Sequence, residues 1–160
     1  MKQKFNSIKE FHKAFKRFIW SDMLVLNIIP DHGWIDGGCR SLMKALALWL
    51  GQENIAYYQL VKGKEETHSE HALVKIGDYF IDGDGISTYY ALYKRWRRLE
   101  KFPSIYIRPF NPENEPALLI NGKLEPPYYI KDDSIQLLVK ALESSFDKKN
   151  VIELLLKNSK

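Results

Sequence analysis

The segment Gly33–Leu50, with the sequence GWIDGGCRSLMKALALWL, decides the fold because a glycine-rich loop runs directly into a helix. The residues from Cys39 onward favour a helix, and Gly51 ends it. Apolar residues recur along this helix at spacings of three and four: Leu42, Met43, Leu46, Trp49 and Leu50. We therefore expect a buried, centrally placed helix with Cys39, the only cysteine of the chain, at its start.

The position of Cys39 suits a reactive thiol. The first N–H groups of a helix lack intrahelical partners and carry partial positive charge, which stabilises a thiolate and lowers its pKa. The backbone N–H of Cys39 could also donate to a developing oxyanion. The alternative is a small buried apolar residue at an ordinary loop-to-helix junction. The choice depends on whether the chain supplies a base.

Composition indicates a soluble globular protein, with 45% apolar and 28% charged residues among 160. We predict a single domain over residues 1–160, with a core motif region at 33–88 and a helical C-terminal extension at 132–157. One cysteine excludes an intrachain disulfide and fits a reducing compartment. The N-terminus has no apolar signal segment and no run reaches membrane-spanning length, so we expect a cytoplasmic protein without a membrane partner.

The net charge of +4 is unevenly distributed. Four basic residues surround Trp96: Lys94, Arg95, Arg97 and Arg98. Basic residues beside an aromatic ring can bind nucleic acid through phosphate contacts and base stacking. A solvated helix face has the same pattern, and no nucleic-acid-binding motif accompanies this one.

A β-hairpin is predicted from His71–Ile76, a turn at Gly77-Asp78, and a second strand at 79–85. A two-residue turn places Ile76 opposite Tyr79, and therefore His71 opposite Asp84 and Leu73 opposite Asp82. His71, Asp82 and Asp84 then share one face of the hairpin, close enough for either carboxylate to orient the imidazole. The opposite face is almost wholly apolar and should pack on the core: Ala72, Val74, Ile76, Tyr79 and Ile81.

The remaining patterns predict an α+β protein. Helices are expected over residues 6–20, from Thr88 towards Glu100, from Asp133 or Ser134 to Leu142, and over 148–157. Further strands are expected at 55–61 and 104–110. Residues 111–131 contain four prolines and an Asn121-Gly122 turn and are predicted to be rich in loops.

Cys39, His71 and Asp82 provide a nucleophile, a base and an orienting acid. In these residues the chain resembles the papain-like cysteine hydrolases, a clan of thiol peptidases, cell-wall amidohydrolases and transglutaminase-like proteins. The motifs are Gly37-Gly38-Cys39 before a helix, then HALV from His71, then YFIDGDG from Tyr79. The resemblance covers about residues 33–88 and is nearest to small bacterial and phage proteins. It implies a Cys-bearing helix packed on a small antiparallel sheet.

The resemblance also implies roles for these residues: Cys39 as nucleophile, His71 as base and Asp82 as orienter, with Asp84 as the substitute. Papain-type peptidases have a glutamine shortly before the cysteine as an oxyanion-hole donor, and this chain has none there. His32, the Trp34 indole N–H or a backbone amide such as that at Gly38 could take its place.

We therefore expect a cysteine hydrolase or acyltransferase that acts on an amide or peptide bond through a thioester, with a peptide or protein substrate and no cofactor. The alternative is an inactive papain-like module that binds a protein or nucleic acid. A metal site at Cys39, His68, Glu70 and His71 is less well supported, because the His68-x-x-His71 spacing suits a helix or turn better than a strand and a second thiolate is absent. The Asp82-x-Asp84 pair likewise lacks the remaining ligands of a calcium loop.

Overall fold

The computed structural model describes residues 1–29, 33–35, 37–101 and 103–160, and it is an α+β fold with helices at both ends. Its helices are α1 (Ile8–Ser21), α2 (Met23–Ile28), α3 (Cys39–Leu50), α4 (Tyr89–Glu100), α5 (Asp132–Ser145) and α6 (Lys148–Lys157). Its strands are β1 (Ala56–Val61), β2 (His71–Ile76), β3 (Tyr79–Asp82), β4 (Gly85–Thr88), β5 (Tyr106–Pro109), β6 (Leu118–Ile120) and β7 (Lys123–Glu125). Short 3₁₀ turns lie at Gln52–Asn54 and Pro112–Asn114.

The main sheet has five antiparallel strands in the order β4-β3-β2-β1-β5. Ile76 lies opposite Tyr79 and Val74 opposite Ile81, which confirms the predicted hairpin register. The predicted second strand, 79–85, is too long, because the observed strand β3 ends at Asp82 and the chain turns again there. Asp82 Oδ1 accepts the Asp84 N–H at 2.9 Å, and Gly85 has a φ of 107°, a value that suits glycine. The strand β4 that follows was not predicted.

Both faces of the sheet are buried. The apolar face predicted to pack on the core lies under α3, in a cluster that includes Ala72, Val74, Ile76 and Ile81. The other face is covered by α4, and a second cluster there joins Leu73 and Phe80 to Leu92 and Trp96. The face that carries His71 is thus also shielded from solvent, which the local sequence patterns did not predict.

The terminal helices belong to the main core. Residues from Phe5 near the N-terminus to Leu155 in α6 lie in the same apolar cluster as α3. At its centre Phe146 makes an edge contact with Phe11, with ring centroids 5.8 Å apart. The single domain over residues 1–160 stays a prediction. Within the described ranges, no helix combines the length and apolar character needed to cross a membrane.

Helix α1 supports the turn between β3 and β4. Trp20 Nε1 donates to the Gly83 carbonyl at 2.7 Å, and the Ile86 N–H donates to His12 Nδ1 at 2.9 Å. A Cβ on Gly85 would lie 2.4 Å from that His12 nitrogen, so the helix and the turn fit closely. The turn that follows Asp82 therefore lies directly against α1.

Candidate active site

Cys39 is the first residue of α3 and is only 4% exposed. The preceding glycine is required by space, because a Cβ on Gly38 would lie 2.5 Å from Ile29 Cδ1 and 2.7 Å from the Gly33 carbonyl oxygen. The Gly38 N–H donates to that same oxygen at 3.0 Å, which closes the loop, and the Leu42 N–H donates to the Gly38 carbonyl at 3.0 Å. The glycine-rich loop therefore seats the thiol tightly at the start of the helix.

His71 and Asp82 form a buried hydrogen-bonded pair. The atoms His71 Nε2 and Asp82 Oδ2 are 2.9 Å apart, and the two side chains are 0% and 3% exposed. An ionised carboxylate can only accept, so Nε2 carries the proton of this bond. Of the two candidate carboxylates, the structure thus places Asp82, the diagonal neighbour of His71 in the predicted register, against the imidazole.

The remaining ring nitrogen of His71 is left for the thiol. Nδ1 is buried and has no hydrogen bond of ordinary geometry among the described residues. Burial disfavours ionisation of Cys39, but the His71 side chain outweighs it and lowers the pKa of the thiol. The Ala72 N–H, which donates to the sulfur, lowers this pKa further. The imidazole of His71 therefore lies between the Cys39 thiol and the Asp82 carboxylate.

The charges of this group reinforce one another. Burial lowers the pKa of His71, but its hydrogen bond to Asp82 and its interaction with the neighbouring Cys39 thiol prevail and raise the pKa from 6.5 to about 9. Burial likewise opposes ionisation of Asp82, but His71 and then Arg95 hold its pKa below 3.8. Between the lowered pKa of the thiol and about 9, the favoured state is a thiolate beside an imidazolium.

Arg95 belongs to this site rather than to a basic surface. Its Nη2 donates to Asp82 Oδ2 at 3.0 Å, its Nε lies 3.1 Å from Asp84 Oδ2, and its Nη1 donates to Ser87 Oγ at 3.0 Å. The grouping of Arg95 with its basic neighbours was wrong because this side chain leaves α4 towards the sheet. The exposed residues of that group are Lys94, Arg97 and Arg98.

Trp96 packs directly on the imidazole of His71. Its ring lies 4.4 Å from that of His71 between centroids, at an interplanar angle of 29°, and the residue is 3% exposed. Stacking fixes the plane of the imidazole and excludes water from its hydrogen bond with Asp82. The sequence interpretation treated Trp96 as part of a charged helix face, although its spacing of four residues from buried Leu92 was a signal for an inward position.

The candidate donors for an oxyanion differ in whether their N–H group is already hydrogen-bonded. The Gly38 N–H is already bonded to the Gly33 carbonyl, as described above. Trp34 is 1% exposed, and its indole N–H has no partner among the described residues. His32 lies outside the described residues. The backbone N–H of Cys39 stays a predicted donor.

Metal coordination finds no support in this part of the molecule. Among the residues that the structure describes, no group of three or more His, Cys, Asp or Glu side chains could hold a metal ion. Asp84 bonds to Arg95 and not to His71, and Asp82 is occupied by three donors, so neither carboxylate resembles a calcium ligand. The geometry is instead that of a thiol, an imidazole and a carboxylate that lie next to one another in that order.

Comparison with models of known protein families, with curated proteins and with solved structures found no match.

Proposed function

We propose that this protein is a papain-like, thiol-dependent hydrolase or acyltransferase that acts on an amide or peptide bond. The observation that supports this proposal most strongly is the placement of one buried imidazole between the Cys39 thiol and the Asp82 carboxylate. A histidine that only filled the core would not require both a thiol at a helix start and a buried carboxylate held by Arg95.

The mechanism follows from these contacts. The thiolate of Cys39 attacks the carbonyl carbon of the substrate, and an oxyanion forms on the carbonyl oxygen. The imidazolium of His71 gives its Nδ1 proton to the leaving amine as the C–N bond breaks, which leaves a thioester on Cys39. Water, or an acceptor amine, then attacks the thioester while His71 takes its proton. Loss of the acyl group restores the thiolate and the imidazolium.

The substrate is proposed to be a peptide or protein amide, on the basis of the chemistry and the resemblance. The alternative, an inactive module that binds a protein or nucleic acid, loses Arg95 from its proposed basic surface and keeps Lys94, Arg97 and Arg98. It becomes the favoured function if Cys39 is unreactive and nucleic-acid binding falls steeply with salt. A cytoplasmic location also stays a prediction.

The acyl-transfer chemistry can be tested with p-nitrophenyl acetate before any natural substrate is known. We expect a rapid release of nitrophenolate that matches the amount of protein, followed by slower turnover as the thioester hydrolyses. Intact mass and peptide mapping should place one acetyl group on Cys39. The Cys39→Ser variant should lose the rapid phase, because a hydroxyl at this position is not ionised by His71.

Acetylation confined to surface lysines, with equal nitrophenolate release from wild type and Cys39→Ser, would contradict the proposal. Circular dichroism of both proteins provides the folding control. The substitution exchanges sulfur for oxygen at a buried site and leaves the rest of the thiol's surroundings in place.

A further inference from the structure

Arg40, the residue immediately after the nucleophile, forms a buried ion pair that the sequence did not indicate. Its Nε donates to Glu115 Oε1 at 2.7 Å and its Nη2 donates to Glu115 Oε2 at 3.0 Å, a two-point contact between planar groups. The two side chains are 9% and 0% exposed. Glu115 comes from the proline-containing segment 111–131, which was predicted only as loop.

The same pair holds the chain just before the base. Arg40 Nη2 also donates to the Ser69 carbonyl at 2.8 Å, while the Ser69 N–H donates to Glu115 Oε2 at 2.7 Å. The backbone N–H and carbonyl of Ser69 are thus both bound by one ion pair, and the Ser69 hydroxyl donates to Gln59 Oε1 in β1 at 2.8 Å. Ser69 lies two residues before His71.

We infer that Arg40 and Glu115 are positioning residues that fix the separation between the Cys39 thiol and the His71 ring. One end of the pair is anchored beside the nucleophile at the start of α3, and the other holds the backbone that leads into β2. The inference rests on the proposed function and adds residues to it that touch no reacting atom. It also gives segment 111–131 a role in the site.

A role limited to stability is a weak explanation of this pair. Removing two charges from water costs about as much as their attraction returns, so apolar side chains of similar volume usually stabilise a core as well or better. Burial opposes the charge of Arg40, but Glu115 outweighs it and raises the pKa of the guanidinium. A permanently charged, two-point contact defines a geometry more closely than apolar packing does.

Two substitutions separate positioning from simple charge effects. In Arg40→Lys the positive charge near Cys39 stays, but the two-point contact is lost. In Glu115→Gln the negative charge is lost, which by charge alone would lower the pKa of the thiol further. If the pair acts by positioning, both substitutions weaken the contact between Cys39 and His71 and raise that pKa. We expect the rise of iodoacetamide reactivity with pH to move to higher pH in both variants. On the rising part of the profile, each unit of increase in the thiol pKa lowers the rate about tenfold.

The control is the exposed ion pair between Lys44, which like Arg40 lies in α3, and Asp132 at the start of α5, in which Lys44 Nζ lies 3.2 Å from Asp132 Oδ1. Asp132→Asn should leave the pH profile of Cys39 alkylation unchanged. Thermal unfolding followed by circular dichroism shows whether each variant is folded, and Arg40→Lys, the milder change, decides the question if Glu115→Gln does not fold. A folded Arg40→Lys protein with the wild-type profile would overturn the inference. An ordinary thiol pKa in the wild type would instead overturn the proposed function.

Discussion

Asp82→Asn is expected to remove most of the acyl-transfer activity, because this position has three donors to satisfy. Oδ2 accepts from His71 and from Arg95, and Oδ1 accepts from the Asp84 N–H. Asparagine has one acceptor oxygen, so either orientation of the amide sets a donor against a donor. When the NH₂ group faces His71, the neutral imidazole accepts through Nε2 and carries its proton on Nδ1. Nδ1 then cannot accept the proton of the thiol.

We expect the acylation rate of Asp82→Asn to fall roughly 10³- to 10⁴-fold, as when the corresponding acid is changed in serine-peptidase triads. The measurement is the rapid phase with p-nitrophenyl acetate. Asp84→Asn is the matched control, because Asp84 contacts Arg95 but not His71, and its effect should be much smaller. Equal losses in the two variants would show that Asp82 has no special role.

Asp82→Asn should also lower the free energy of unfolding by about 3–5 kcal/mol near neutral pH, because it leaves buried charges without their partner. The pKa of Asp82 is below 3.8 in the folded protein, so the stability that its ionised form provides is present above that pH and is lost as the pH falls. Urea titrations at several pH values should therefore show the difference between wild type and variant narrowing in acid.

His71→Ala is expected to abolish the enhanced reactivity of Cys39. Without the imidazole, burial is left as the main influence on the thiol, and it raises the pKa above the ordinary value of 9.0. If the wild-type thiol is ionised at neutral pH, we expect iodoacetamide alkylation at about pH 7 to slow by about 100-fold or more, since each unit of pKa is a factor of ten. Mass spectrometry of quenched samples gives the rate at this single cysteine.

His12→Ala is the control for His71→Ala. His12 Nδ1 accepts a hydrogen bond from the Ile86 N–H, and among the bonds that the structure describes none joins His12 to Cys39 or Asp82. Its alkylation rate should match that of the wild type. Similar slowing in both histidine variants would point to a general loosening of the fold.

The charged ring of His71 should also make the stability of the wild type depend on pH. Because the pKa of His71 is raised to about 9, the stability that the charged ring provides is complete below pH 6.5 and disappears as the pH rises through about 9.

Local signals in the sequence were sufficient to predict the helix that begins at Cys39 and the hairpin that follows it. The helix begins at Cys39 and ends at Leu50 as predicted. Its apolar stripe and the glycine that ends it, Gly51, are local features that can be read within a few residues of the sequence. The register from Ile76 opposite Tyr79 follows from the two-residue turn, and it brings His71 and Asp82 to one face. These features depend on neighbours in the chain and could be deduced from it.

The partners that hold the site in place come from distant parts of the chain, and local patterns do not encode them. Arg95 reaches Asp82 across 13 positions of sequence, and Arg40 reaches Glu115 across 75. A charged residue in a basic helix, or in a loop, has the same local pattern whether it faces solvent or a buried partner. The strand β4 was missed for a different reason, because Gly83 to Gly85 was assigned to the end of β3 rather than to a turn.

The pH dependence of Cys39 alkylation in the wild-type protein tests the central claim most directly, namely that Cys39 and His71 form a thiolate–imidazolium pair. We predict that the alkylation rate reaches a plateau at a pH well below 9.0, the ordinary pKa of a thiol. The rate should change again only near pH 9, where His71 loses its proton. An unpaired thiol would instead gain about 100-fold between roughly pH 6 and pH 8. That steep rise, or a thiol that does not react at any pH, would contradict the account.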